Sequence, residues 1–200
     1  MGQTLTGAAI VLALSAAGAA SAAPAGGGPF AFTGARLGMS LQAWRALPFP
    51  GKADPRAQAA CSGDPGIGPD AGLQPTATER KAGAVVCGYI VRYGHYVLPQ
   101  GIRPAADRKP VSVRYVFAGG RLTQIRYRAP RDAFDKVTQR LKAAYGPPAA
   151  VLRDQVQTEI GRLDRVRMSW AAPSGSAVLT DPADARLDLV VELSSRGPKG

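Results

Sequence analysis

The stretch from Val111 to Arg128 constrains the fold more than any other part of this sequence. Two runs in which apolar and polar residues alternate, VSVRYVF and LTQIRYR, flank the pair Gly119-Gly120. Runs that alternate over most of their length on both sides of a short glycine turn are typical of a β-hairpin. We therefore expect two antiparallel strands with one apolar face and one polar face.

The register of this hairpin follows from its side chains. A two-residue Gly-Gly loop would place apolar residues opposite arginines on both faces of the pair. A three-residue loop over residues 119–121 sorts the two faces cleanly, and we expect that loop. It pairs Val113 with Tyr127, Tyr115 with Ile125 and Phe117 with Thr123.

The polar face of the hairpin then carries arginines. Arg114 lies beside Arg126 and Ser112 beside Arg128, so Arg114, Arg126 and Arg128 are candidate anion-binding residues. They belong to a wider basic stretch: Arg103, Arg108, Lys109, Arg114, Arg121, Arg126, Arg128 and Arg131, against which only Asp107 stands. The formal net charge of +11 also favours anionic partners. The alternative is a solvated strand face in an arginine-rich composition.

The remaining patterns predict a mixed α+β fold. Ser40 can cap a helix with Leu41, Trp44 and Leu47 on one face, and residues 131–145 form an amphipathic helix that Gly146 and Pro147 end. Strands are expected over 84–93, 95–98, 150–153, 164–170, 176–180 and 186–193. A helix followed by strands thus occurs twice, which predicts two α-then-β-meander units with helices on an antiparallel sheet.

One domain is expected over residues 30–196, and it is interrupted by a long loop. Residues 48–83 are dense in Pro and Gly in their first part and show almost no periodicity. We expect them to form a loop.

The N-terminus has the pattern of a secretory signal peptide. GAAIVLALSAAGAASAA, from Gly7 to Ala23, combines an apolar core with the small residues of a signal-peptidase site. We expect a signal peptide over 1–23, cleaved after Ala22 or Ala23, and a flexible leader over 24–29. No Cys follows the apolar run, so no lipid anchor is expected. The alternative, a membrane anchor, has too short an apolar run.

The two cysteines, Cys61 and Cys87, are expected to form one disulfide. An exported protein folds in an oxidising compartment, where an even cysteine count indicates a structural bridge. The spacing is not C-x-x-C, and the single histidine cannot complete a zinc site with them. We expect no metal.

Two segments are similar to known exported proteins. LGMSLQAW (37–44) resembles the opening of outer-membrane-assembly lipoproteins of the SmpA/OmlA type and of β-lactamase-inhibitor-protein-like domains, and FDKVTQRLKAAYGPP (134–148) resembles a helix found in small exported bacterial proteins. The resemblance implies a helix-on-sheet adaptor or inhibitor fold rather than an enzyme. The absent lipobox separates this chain from the lipoproteins.

Catalytic motifs are missing from the sequence. It has no G-x-x-x-x-G-K-[ST], no H-E-x-x-H and no G-x-S-x-G. His95, between aromatic residues, is expected to pack on Tyr93 or Tyr96. Two carboxylate pairs could serve a hydrolase, and they are Glu159 with Glu192 and Asp181 with Asp184.

These patterns together predict a periplasmic or secreted binding or adaptor protein of the bacterial envelope, without a cofactor and not an enzyme. Its expected partner is an anionic envelope component or another envelope protein, and export makes nucleic acid an unfavoured one. Two alternatives stay open: a carboxylate-dependent envelope hydrolase, and a secreted enzyme inhibitor with its insertion loop within residues 48–75.

Overall fold

Short helices and many strands make up the structure, a computed structural model that describes residues 30–51, 54–103, 111–158, 161–183 and 188–196. The strands are β1 (Ala31–Phe32), β2 (Ala35–Arg36), β3 (Gln58–Cys61), β4 (Val85–Tyr93), β5 (Tyr96–Pro99), β6 (Ser112–Ala118), β7 (Arg121–Ala129), β8 (Ala150–Thr158), β9 (Gly161–Ala172), β10 (Gly175–Asp181) and β11 (Leu189–Ser195). The helices are α1 (Leu41–Arg45), α2 (Ala77–Lys81) and α3 (Phe134–Tyr145). The predicted signal peptide (1–23) and leader (24–29) lie outside the described residues.

A single antiparallel sheet organises the described part of the chain. Nine strands there join in the order β3-β4-β6-β7-β11-β10-β9-β8, with β5 paired to the far end of β4. Strands β1 and β2 form a separate two-stranded hairpin. The fold is therefore mixed α+β, as predicted. Over the same residues, no helix is long and apolar enough to cross a membrane.

The inner face of the sheet is the one covered by α1 and α3. Helix α1 begins where the Ser40 hydroxyl accepts a hydrogen bond from the Ala43 N–H at 3.1 Å, which confirms the predicted cap. Its Trp44 is buried and lies 5.0 Å from the ring of Tyr115 on β6. Burial of such aromatic rings against the sheet is the main stabilising contribution of this short helix.

Helix α3 covers the other half of the inner face. Val137 and Leu141, four residues apart on its apolar stripe, are both buried in the main core. The helix ends at Gly146, whose carbonyl accepts a hydrogen bond from the Trp170 indole on β9 at 2.9 Å. The predicted amphipathic helix is therefore confirmed, with its first turn, Arg131–Ala133, in 3-10 geometry.

The β1–β2 hairpin is tied to the end of α3. The Tyr145 hydroxyl donates to the Ala31 carbonyl and accepts from the Ala31 N–H, both at 3.0 Å. Phe30 lies 4.5 Å from the Tyr145 ring, and Phe32 stacks on Tyr127 at 4.1 Å. These contacts close the apolar core at the beginning of the described chain.

The segment 48–83 differs from the long loop expected there. It contains β3, a 3-10 turn at Pro69–Ala71 and α2, which begins with a capping box between Thr76 and Glu79. Leu73 packs on the outer face of β4 against Gly88, where a Cβ would lie 2.8 Å from the Leu73 Cδ2. Pairing and packing against β4 give this segment its structure, and neither leaves a periodic signal in the sequence.

The β6–β7 hairpin confirms the predicted faces. Val113 pairs with Tyr127 and Tyr115 with Ile125, so the apolar side chains share the inner face. The arginines consequently lie on the outer face.

Its loop corrects the prediction. Only Gly119 and Gly120 form the turn, both with left-handed φ (56° and 72°), and Phe117 pairs with Leu122 instead of Thr123. A register shift between Val116 and Phe117 leaves Thr123 as the extra residue of a β-bulge. The bulge allows a two-residue turn while the apolar side chains stay on one face and the polar side chains on the other. Neither of the two regular registers compared from the sequence provides both features.

Candidate anion-binding face

The three predicted arginines meet on the outer face of β6 and β7. Arg114 directly opposes Arg126, and Arg128 opposes Ser112. Together these four residues line a small surface concavity. Directly opposed like charges are destabilising unless a counter-charge lies nearby, so the partners of each arginine decide what this surface can bind.

Two of the three arginines have acidic partners that the sequence pattern did not indicate. Arg114 lies 3.3 Å from the Glu79 carboxylate on α2 and donates to the Gln74 carbonyl at 2.9 Å. Burial acts to raise the pKa of Glu79, but hydrogen bonds from Thr76 and the charge of Arg114 outweigh it, and the pKa is lowered. Arg128 lies 3.5 Å from the Asp188 carboxylate just before β11.

Arg126 differs from its neighbours. Its direct cross-strand neighbour on β11 is Glu192, yet within the described residues Arg126 makes no ion pair and no hydrogen bond. Its Nε is buried without an acceptor, which carries a desolvation cost. Buried guanidinium nitrogens without a hydrogen-bond partner also occur in Arg114 and Arg128, but of the three hairpin arginines Arg126 is the one without a carboxylate partner among the described residues, so its charge is the one most open to an anionic ligand.

Strand β9 adds two arginines to the same face. Arg167 pairs in register with Thr180 on β10, which pairs with Val190, which pairs with Arg128. Arg165 donates two hydrogen bonds to Asp154 on β8, and these bonds, more than the charge of Arg167, lower the pKa of Asp154. Arg167 is exposed and has no ion pair or hydrogen bond within the described chain.

A trough of about 340 Å³ lies between these two groups of arginines. We call this concavity the trough; it is lined by Arg126, Arg165, Arg167, Val178, Thr180, Ala183, Val190 and Glu192. The β9 wall could not be predicted from the sequence, because β11 and β10 lie between β7 and β9 and no local pattern indicates that strand order. Alternation within each strand could have placed Arg165 and Arg167 on one face, but not beside Arg126.

The other predicted basic residues do not join this face. Arg121 donates to the Gly38 carbonyl at 3.2 Å beside the hairpin turn, and Arg131 lies 3.4 Å from Asp181. Arg103 is exposed before the gap in the described chain. Arg108 and Lys109 lie outside the described residues.

The two candidate carboxylates that the structure describes, Asp181 and Glu192, lie on opposite faces of the sheet. Asp181 pairs with Val166 on the inner face, whereas Glu192 faces outward. Burial raises the pKa of Asp181, and the nearby Arg131 offsets this only in part. Their predicted partners, Asp184 and Glu159, lie outside the described residues, so both carboxylate pairs stay predictions.

The cysteines and the histidine occupy structural positions. Cys61 on β3 directly opposes Cys87 on β4, and the two form the predicted disulfide. His95, at the tip of the β4–β5 hairpin, lies 4.0 Å from the Tyr96 ring, as predicted. In the described part of the chain, no group of three His, Cys, Asp or Glu side chains could hold a metal ion.

Comparison of the chain with protein-family models, with curated proteins and with solved structures finds no match. The resemblance to SmpA/OmlA-type lipoproteins and β-lactamase-inhibitor-protein-like domains therefore stays a prediction.

Proposed function

We propose that this chain is an exported, non-enzymatic binding protein of the bacterial envelope, and that its outer sheet face holds an anionic envelope component. The Arg126 side chain, which lines two surface concavities without a carboxylate partner and is set among four further arginines of the same face, is the observation that supports this most directly. A guanidinium without an acceptor gains a charge-assisted hydrogen bond when a phosphate or carboxylate binds it.

Export is the second element of the proposal. The Cys61–Cys87 disulfide is fully buried and is compatible with an oxidising compartment, and the apolar N-terminus of the sequence supplies the route. At the finer level of the fold, we also propose that α1 with β3–β7 and α3 with β8–β11 are two α-then-β units, because a helix followed by strands occurs twice along the chain.

A hydrolase is the competing class, and one observation favours it. Asp181 is buried with a raised pKa, which is a property of many general acids. Its contact with Arg131, however, is that of a structural ion pair near the start of α3. Asp184, with which Asp181 is predicted to pair, lies outside the described residues. The binding role therefore has the stronger geometric support.

The test measures binding of the purified exported protein to vesicles that contain phosphatidylglycerol and to purified lipopolysaccharide. Charge reversal of Arg114, Arg126 and Arg128 to Glu should weaken salt-sensitive binding by at least roughly tenfold, because charge-assisted contacts become repulsive. The matched control reverses three exposed arginines elsewhere on the molecule, and these are Arg36, Arg153 and Arg162.

Two results separate the outcomes of this test. Loss in the first triple variant with retention in the control supports the proposal. Equal binding by all three proteins, or equal loss in both variants, removes the outer face as the binding surface. Since Arg114 also holds α2 through Glu79, the single variant Arg126→Glu and a thermal melt of each protein distinguish lost binding from lost folding.

A further inference from the structure

The trough has two positive walls at a defined separation. Arg128 and Arg167 stand three strands apart in one row of the sheet, which corresponds to about 14 Å between their backbones. Arg126 lies next to Arg128 along β7, on the same outer face. Among the described residues, Arg126 and Arg167 are the trough arginines that no carboxylate pairs. One unpaired cation therefore stands on each side.

The floor of the trough, between the two positive walls, is mostly uncharged. Val178, Thr180 and Val190 provide a neutral surface, and Glu192 is the one acidic residue that lines the trough within the described chain. A single small anion placed in the middle would meet the Glu192 carboxylate and be repelled. A hydroxyl or amine placed there would instead donate a hydrogen bond to it.

The sequence of charges across the trough is thus positive, negative, positive. The complementary ligand carries an anionic group at each end and hydrogen-bond donors between them. We infer that the trough binds an anionic saccharide, one whose two phosphate or carboxylate groups flank a hydroxyl- or amine-bearing core. This inference rests on the proposed function and names the ligand class of the same face.

Size favours a small ligand or one sugar unit of a larger glycan. A volume of about 340 Å³ lies at the lower end of the roughly 300–1,000 Å³ found for small-molecule sites. An acidic protein segment would satisfy the two arginines, but it would bring additional carboxylates towards Glu192. The saccharide therefore fits the charge pattern better than an acidic peptide does.

The probes of the test are four defined phosphates: fructose 1,6-bisphosphate, fructose 6-phosphate, 1,6-hexanediol bisphosphate and inorganic phosphate. Titration calorimetry on the full exported protein should show fructose 1,6-bisphosphate binding at least roughly tenfold tighter than fructose 6-phosphate, because a second charge-assisted contact forms. It should also bind more tightly than the hexanediol compound, which lacks hydroxyl donors.

Three variants locate the effect. Arg167→Gln should reduce the bisphosphate affinity to that of the monophosphate, whereas Arg153→Gln, which removes the same charge from the inner-face side of β8, should not. Glu192→Gln should weaken fructose 1,6-bisphosphate binding and leave the hexanediol compound equal or stronger. All three side chains are at the surface or half-buried, so the variants are expected to fold.

Several results would overturn the inference. These are equal effects of Arg167→Gln and Arg153→Gln, a uniform gain for all probes in Glu192→Gln, and stronger competition by polyglutamate than by the saccharide. If the outer-face triple variant loses envelope binding while the bisphosphate preference is absent, the ligand class is wrong and the proposed function stands. If neither binding exists, both fail.

Discussion

Reduction of the Cys61–Cys87 disulfide should lower the free energy of unfolding, and the length of the loop that the disulfide closes gives the magnitude. Cys61 and Cys87 are separated by 26 positions, and closing a loop of that length lowers the entropy of the unfolded chain. The chain-entropy relation gives about 3.5 kcal/mol at 25 °C. For a domain of this size that loss corresponds to a fall in Tm of roughly 7–14 °C.

Urea denaturation with and without dithiothreitol measures this difference. Trp44 and Trp170 are both buried and report unfolding by fluorescence. The midpoint should fall on reduction, and the m-value should rise because the reduced unfolded chain exposes more surface. The double variant Cys61→Ala/Cys87→Ala is the control, and its midpoint should not respond to the reductant.

A loss of less than about 1 kcal/mol on reduction, at an unchanged m-value, would refute this reasoning. It would show that the unfolded chain is already compact between the two cysteines, or that β3 detaches from β4 before the sheet unfolds. Hydrogen exchange of the β3 amides in the reduced protein distinguishes those two explanations.

Two further predictions concern packing and protonation. Gly88→Ala should lower the free energy of unfolding, measured by urea denaturation, by about 1–3 kcal/mol because the new Cβ would lie 2.8 Å from the Leu73 Cδ2. The double variant with Leu73→Ala should lose less than the sum of the two single variants, and strict additivity would contradict the contact. Burial raises the pKa of Asp181, so the folded state binds more protons there than the unfolded state does. The stability of the wild type relative to Asp181→Asn should therefore fall as the pH rises from about 4. The opposite slope across a pH series would show that the charge of Arg131 dominates the pKa of Asp181.

The hairpin shows how much local pattern determines. Period-two alternation was sufficient to assign the faces of β6 and β7, and hence to place Arg114 beside Arg126. The predicted three-residue loop was wrong because the prediction assumed a hydrogen-bond ladder without a bulge. The bulge at Thr123 left one trace in the sequence, since two consecutive polar residues, Thr123 and Gln124, separate the inward-facing Leu122 and Ile125.

The site itself was only half predictable. The wall formed by β7 came from a hairpin, where partners are neighbours in sequence. The wall formed by β9 depends on the position of β11 and β10 between β7 and β9. That strand order is determined by the packing of the whole sheet on its core. The ion pairs of Arg114 and Arg128 were missed for the same reason, because Glu79 and Asp188 come from distant segments.

The clamp between Ala31 and Tyr145 sets a limit to proteolytic trimming. The predicted cleavage after Ala22 or Ala23 would keep Phe30, Ala31 and the two hydrogen bonds to the Tyr145 hydroxyl. A protease that cut beyond Phe32 would remove two aromatic rings from the core and leave the tip of α3 without its partner. The core formed by the described residues is thus kept only by a cut that falls before residue 30, and the predicted signal-peptidase site meets that condition.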